Sequence, residues 1–359
     1  MNFTPILFKN FSQYYAKKKY CSQCSSVRIT RFGFTVLSIF TKHGWESKQV
    51  QKFRCNACGH IWRNDLLNIG MFDIHLVEQA TFMYLRSVSF SSVVAIFRSW
   101  FDEDIFSKVT LIHHIEQLAD SIPSHQEITQ WLKPKRSGYY ALDGTWMKLQ
   151  GKEFVLLILL DVETLDVVSW DVSEKETEGS YTKLLLDSYS EIAFAKGFFC
   201  DGELGLLKSL RVFFPNVPVQ LCVFHKYSRA GQIIPFVHVK SDMDREIKKR
   251  VELVLFAKTK QSAIDSLTEL ERYAREHQEY PKLKQILGVL KRNFDLLLTH
   301  FDHPEMSPYN NVLEGFNYII KRKTNLMKGF EKPVNVYRWI KLIILDWLPL
   351  TAASGGDCT

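Results

Sequence analysis

The sequence predicts an α/β protein: a mixed sheet with acidic residues at its rim, interrupted by a helical insertion and preceded by a cysteine-bearing β module and a helical module. Three observations carry this. Residues Tyr139 to His225 read as strand after strand, and two apolar runs stop on an acid and a glycine, Tyr139-Tyr140-Ala141-Leu142 at Asp143-Gly144 and Gly197-Phe198-Phe199-Cys200 at Asp201-Gly202. Two C-x-x-C pairs, Cys21/Cys24 and Cys55/Cys58, stand near the N-terminus with thirty residues between them. Residues 240–300 then change to charge-rich helical spacing before another acid, Glu314, follows.

The chain has 359 residues, 46% hydrophobic and 24% charged, an ordinary globular composition long enough for two or three domains. Its longest apolar run, Phe154 to Leu160, is far short of the roughly 20 residues a bilayer span needs, and the first residues lack a signal-peptide layout. A soluble cytoplasmic protein, nucleoid-associated in a bacterium, is the expectation. Net charge is +7, but residues 1–70 hold eleven Lys and Arg against two acids, a local +9. Such concentrated positive charge is the footprint of a nucleic-acid binder, with a merely solvated surface as the alternative. Seven cysteines, an odd number without a secretory signal, argue against a disulfide framework.

Residues 1–70 form the first expected domain. Lys17, Lys18 and Lys19 lead into the first cysteine pair, and Arg28 and Arg31 follow it; these are the candidate DNA contacts here. Two C-x-x-C knuckles present four thiolates, the donor set of a closed tetrahedral Zn²⁺ site, and the alternating stretches Val27–Phe40 and Lys48–Arg54 supply hairpin strands, giving a zinc ribbon. The alternative is four unligated thiols; His43 and His60 are read as spectators. Residues 71–136 show helical spacing in three short segments, the third opened by Ser107 and carrying Lys108, which fits a DNA-binding helix-turn-helix or a plain helical spacer.

Residues 137–226 form the first part of the core. Strands are expected at Tyr139–Leu149, Glu153–Asp161, Asp166–Val172, Gly197–Cys200 and Val217–Phe224, with helices at Ser180–Ile192 and Glu203–Phe213. Asp143 and Asp201 on neighbouring strands repel each other unless a cation sits between them, which points to a divalent metal. Asp161 and Glu203 are read as structural acids, at a turn and a helix start. Residues 227–305 are the helical insertion, whose basic residues either contact DNA or form a solvated face. Residues 306–348 complete the core with helices, and 349–359 form a small, polar, disordered tail. Helical spacing puts Glu314, Asn317, Tyr318 and Lys321 on one face, with Arg322 and Lys323 beside it. Glu314 suits a metal ligand, yet Asn311 as N-cap with Glu314 three residues on would equally be a capping box.

The order Leu142-Asp143-Gly144-Thr145-Trp146, Cys200-Asp201-Gly202, Gln220-Leu221-Cys222-Val223-Phe224-His225, Asn310-Asn311-Val312-Leu313-Glu314-Gly315-Phe316-Asn317 and Lys328-Gly329-Phe330 resembles the DDE transposases of the Mutator-like insertion-sequence superfamily. The resemblance covers roughly residues 137–345. It implies an RNase H-like core with a helical insertion between the second Asp and the Glu, for which the 113 residues from Asp201 to Glu314 leave room. It also implies Asp143, Asp201 and Glu314 as catalytic ligands of Mg²⁺ (or Mn²⁺), with Zn²⁺ in the N-terminal ribbon. Asn317 and Lys321 would support the site and Arg322 and Lys323 would hold DNA. The family's C-x-x-H element is matched by Cys222 and His225, read either as active-site support or as a buried cysteine and a histidine packing near the sheet end. The implied activity is cleavage and transfer of double-stranded DNA at transposon inverted-repeat ends by a homodimer or larger assembly. A catalytically inactive DNA-binding regulator and another RNase H-fold nuclease are the alternatives.

Overall fold

The computed structural model describes residues 20–347 except 22, 64–67, 70, 103, 123, 150–151, 240 and 327–332. Lys17, Lys18, Lys19, the Lys328-Gly329-Phe330 motif and the tail at 349–359 therefore lie outside the described residues. The chain divides into two compact units, Lys133–Lys321 and a second that joins residues before 133 to Arg322 and beyond.

The second of these begins with a long hairpin, β1 (Ile29–Thr41) and β2 (Gly44–Cys55), extended by β3 (Ile61–Arg63), β4 (Asn68–Ile69) and β5 (Phe72–Asp73) in the order β3-β2-β1-β5-β4. Ile29 pairs with Cys55, so the hairpin register carries the two cysteine pairs to the same end. Three helices follow: α1 (Ile74–Leu85), α2 (Phe90–Phe101) and α3 (Lys108–Ser121). Each starts on a side-chain cap, Asp73 accepting from the His75 amide, Ser89 from Ser92 and Ser107 from Thr110. Their shared core includes Val77, Val93, Phe97, Leu111 and Ile115. A fourth helix, α4 (His125–Leu132), follows the three segments that the helical spacing predicts.

The unit 133–321 holds the mixed sheet. Its strands are β6 (Tyr139–Leu149), β7 (Lys152–Asp161), β8 (Val167–Ser173), β9 (Gly197–Cys200) and β10 (Val219–Leu221), ordered β10-β9-β6-β7-β8. β6, β7 and β8 are antiparallel, whereas β6, β9 and β10 are parallel. The sheet is therefore mixed, as the sequence predicts. β7 is buried from Phe154 to Asp161, as its unbroken apolar run predicts for a central strand. Helices α5 (Glu178–Ile192) and α6 (Leu204–Phe213) add Tyr181, Leu184, Leu185, Leu206 and Leu210 to the core.

The fifth strand is shorter than expected. β10 ends at Leu221, and Val223 opens a helix, α7 (Val223–Ile233), so the helical insertion starts earlier than residue 227. Further helices follow: α8 (Asp242–Leu255), α9 (Lys260–Glu276), α10 (Pro281–Lys291), the short α11 (Phe294–Leu297) and α12 (Thr299–Asp302), then α13 (Asn311–Leu326). Buried Gln220 ties the end of the insertion back to β10, donating to the Leu297 carbonyl at 3.1 Å and accepting from the His300 amide at 2.7 Å.

The last helix, α14 (Pro333–Trp347), departs from the expectation that residues 306–348 all belong to the core. It lies in the unit with α1 to α3, and the division falls within α13, between Lys321 and Arg322. The reason is its buried face: Trp339 meets the rings of Tyr84 and Phe90, Arg338 pairs with Glu116 and Asp120, and Lys341 donates to the Ala119 and Ile122 carbonyls at the end of α3. Lys323 also turns inward, to Asp346 at 2.6 Å, and Arg86 reaches the same carboxylate. In this structure the Lys323 charge is thus paired within the protein. Arg322, Arg28, Arg31 and Lys108 are exposed.

Candidate active site

Sheet register places the two aspartates. Tyr139 pairs with Gly197 and Ala141 with Phe199, an offset of 58 residues that also separates Asp143 from Asp201 (197 − 139 and 201 − 143). Leu221 pairs with Cys200, and the same offset of 21 puts Cys222 level with Asp201 (221 − 200 and 222 − 201). Asp143, Asp201 and Cys222 thus form one row across β6, β9 and β10 at the sheet's rim. Strand β6 continues past Asp143 to Leu149, while β9 stops before Asp201.

The two Asp-Gly pairs exist for different reasons. Gly202 follows Asp201 at φ +91°, a left-handed turn that a side chain disfavours. Gly144 is needed for space: a Cβ there would stand 2.7 Å from Glu176 Oε1 and 2.9 Å from Val155 Cγ2. Glu176, in the turn before α5, is therefore a fourth acid at the rim, held by the Tyr181 hydroxyl and by Trp146 Nε1 at 3.2 Å.

Glu314 enters from α13, whose buried residues Leu313, Phe316, Ile320 and Thr324 recur at helical spacing. The Glu314 amide bonds the Asn310 carbonyl at 3.2 Å, so Asn310 rather than Asn311 flanks the helix and the capping-box spacing is lost. Its carboxylate instead faces α7: Oε1 lies 3.8 Å from Cys222 Sγ and 3.5 Å from His225 Nδ1, the latter without the geometry of a hydrogen bond. One turn on, Asn317 Nδ2 donates to Asp143 Oδ2 at 2.7 Å. In this orientation Asn317 Oδ1 is buried and has no hydrogen-bond partner. Lys321 is on the same helix and favours the charged form of Asp143.

Burial, above all, and then the Asp201 charge push the Asp143 carboxyl up to about 8, against the opposing Gly144 amide. Burial also raises Glu176, with Asp201 and Glu203 adding to it against the Tyr181 and Trp146 hydrogen bonds. Asp201 is engaged by Arg229 Nη2 at 3.0 Å and by the Glu203 amide at 3.0 Å. The competing acids are structural as expected. Asp161 is fully buried and accepts from Ser137 and from the Glu163 and Thr164 amides, and Glu203 caps α6. Cys222, buried, follows the last residue of β10 as the N-cap of α7, and His225 stands in the first turn of that helix.

At the other end of the chain the four cysteines converge. Cys21 and Cys58 Sγ are 3.6 Å apart, Cys24 and Cys55 Sγ 3.5 Å, and all four lie within 4.8 Å of one another. The Gln23 and Ala57 amides point at the Cys21 and Cys55 sulfurs at 3.4 Å. His60 is not among the clustered donors; it stacks on Trp62.

The family described as "Transposase, Mutator family" matches residues 71–348. The chain belongs to that family. No curated protein matches it. Among solved structures, this Mutator-family chain is similar to the HTLV-2 integrase catalytic core domain in complex with magnesium (dimeric form) at 15% identity and TM-score 0.21, over 32% of this chain and 83% of that one. It is also similar to the simian T-cell lymphotropic virus intasome in complex with PP2A regulatory subunit B56 gamma, at 9% identity and TM-score 0.21, over 51% and 69%. Two residues at the candidate site of this Mutator-family chain, Glu176 and Arg229, carry no signal in the sequence. Glu176 sits in the polar run Ser173-Glu174-Lys175-Glu176-Thr177-Glu178, where one acid looks like another.

Proposed function

We propose that the chain is a DNA transposase that binds transposon ends and cuts and joins strands through Asp143, Asp201 and Glu314. The observation that carries this is the Asn317–Asp143 hydrogen bond, which brings the helix bearing Glu314 to the row that holds Asp143 and Asp201. The carboxylates of Asp143, Asp201 and Glu314, together with the Asn317 oxygen, would make an oxygen-rich donor set that fits Mg²⁺ or Mn²⁺. When bound, such ions stabilise the charge of an in-line phosphoryl displacement and lower the pKa of the attacking hydroxyl.

The chain's own residues supply the rest. Asn317 orients Asp143, Tyr181 and Trp146 hold Glu176 against Gly144, and Arg229 fixes Asp201. Arg229 also lines, with Lys226, Gln232, Gln285 and Arg292, a cavity of about 550 Å³ between α7 and α10. This cavity, whose Arg229 also bonds Asp201, is the path we assign to a phosphate backbone approaching the acids.

The four clustered thiols with amides directed at two of their sulfurs fit Zn²⁺, and residues 20–121 then read as a zinc ribbon followed by a helix-turn-helix. Exposed Arg28, Arg31 and Lys108, with Lys17, Lys18 and Lys19, would hold the DNA ends, and two ends processed together call for a dimer or larger assembly. All three acids are present, and Asn317 links the Glu314 helix to Asp143, which supports catalysis over the inactive regulator. On DNA carrying the element's own inverted repeats and Mg²⁺, the protein should cleave at the ends, and Asp201→Ala should lose on the order of 100-fold or more. Undiminished cleavage by that variant overturns the assignment.

A further inference from the structure

We propose that Cys222, His225 and Glu314 form a second cation site, for a thiophilic divalent metal of the zinc class. Occupying it removes Glu314 from the acidic site. The three donor atoms, one sulfur, one imidazole nitrogen and one carboxylate oxygen, all lie within 4.8 Å of one another. Zn²⁺ binds such atoms at about 2.0–2.3 Å, so in a tetrahedral site they stand roughly 3.3–3.8 Å apart. The observed separations from Glu314 Oε1, 3.8 Å to Cys222 Sγ and 3.5 Å to His225 Nδ1, match with little movement.

The donor chemistry selects the metal. Thiolate and imidazole favour zinc-like ions, whereas Mg²⁺ wants oxygen alone. His225 Nδ1 is buried with no hydrogen-bond partner, so coordination displaces nothing it already makes. The side chains of His225 and Glu314 are 30% and 33% exposed, which leaves a route in and a place for a fourth ligand from solvent. The backbone is braced on both sides: the Val223 amide bonds the Pro308 carbonyl at 3.0 Å, fixing the start of α7 beside the turn that leads into α13. This site is separate from the all-sulfur cluster near the N-terminus.

The inhibitory consequence rests on the transposase reading, since it requires Glu314 to serve Mg²⁺. The binding claim does not. The test is zinc content of the full chain, stripped, reloaded with Zn²⁺ and dialysed in Mg²⁺ buffer. Two zinc ions per chain are expected for the wild type and for Asp143→Asn, which keeps all three donors, and one for Cys222→Ser and for His225→Gln, each checked for folding by its thermal melt. One zinc in the wild type, or two in both donor variants, overturns the site. In the cleavage assay, micromolar Zn²⁺ should inhibit and excess Mg²⁺ should relieve the inhibition. Two zincs in a protein that never cleaves its ends would sink the transposase reading and leave the site standing. One zinc with zinc-insensitive cleavage would do the reverse.

Discussion

Asp143 keeps a proton that it would surrender in water. Its folded value of about 8 lies above the ordinary 3.8, so the native state binds more protons than the unfolded one between pH 4 and 8, and stability falls as pH rises through that window. In metal-free protein Asp143→Asn should therefore melt higher than wild type at pH 8, by on the order of 2 kcal/mol, and by less at pH 5. Mg²⁺ should erase the pH 8 difference by stabilising only the wild type, which parallel thermal melts would show. Gly144→Ala should cost about 1–3 kcal/mol in chemical denaturation and impair cleavage, because its Cβ displaces Glu176 or Val155. Asp143 and Asp201 were legible because each interrupts an apolar run. Glu314 was legible only through its neighbours in sequence, since its spacing also suited a capping box. Glu176 and Arg229 were not legible, because a turn and a helix face that bear many charges do not single out the one turned to the rim.

At the scale of elements, the four clustered thiols stand at the open end of the β1–β2 hairpin, opposite the Thr41–Gly44 turn, where a bound metal would tie the two knuckles together. Chelation with a strong zinc ligand, or Cys24→Ser, should open residues 20–63 to protease while cleavage within 133–321 stays unchanged, as peptide mapping would show. Helix α7 shows where pattern reading fails. Val217 to Phe224 is apolar enough for a strand, and periodicity cannot separate a buried strand from the buried first turn of the helix that follows it. Helix α14 failed for another reason: its apolar face predicts burial but not which core receives it. The strands of the sheet, by contrast, were legible nearly to the residue, since β6, β7 and β9 are bounded by glycine, acid or turn residues.

For the whole molecule, the surplus of positive charge in residues 1–70 belongs to the DNA-binding reading. Removing those residues should flatten the dependence of end-binding affinity on salt, by up to about 0.9 in the log–log slope for each phosphate they neutralise. Titrations at several salt concentrations, by anisotropy, would measure it; an unchanged slope would place the DNA-binding surface elsewhere. The Asn317–Asp143 bond has a different kind of consequence. It joins residues 174 positions apart, so the strands bearing the two aspartates leave the ribosome long before the helix bearing Glu314. A growing chain therefore presents the two aspartates well before the helix whose Asn317 bonds one of them has been made.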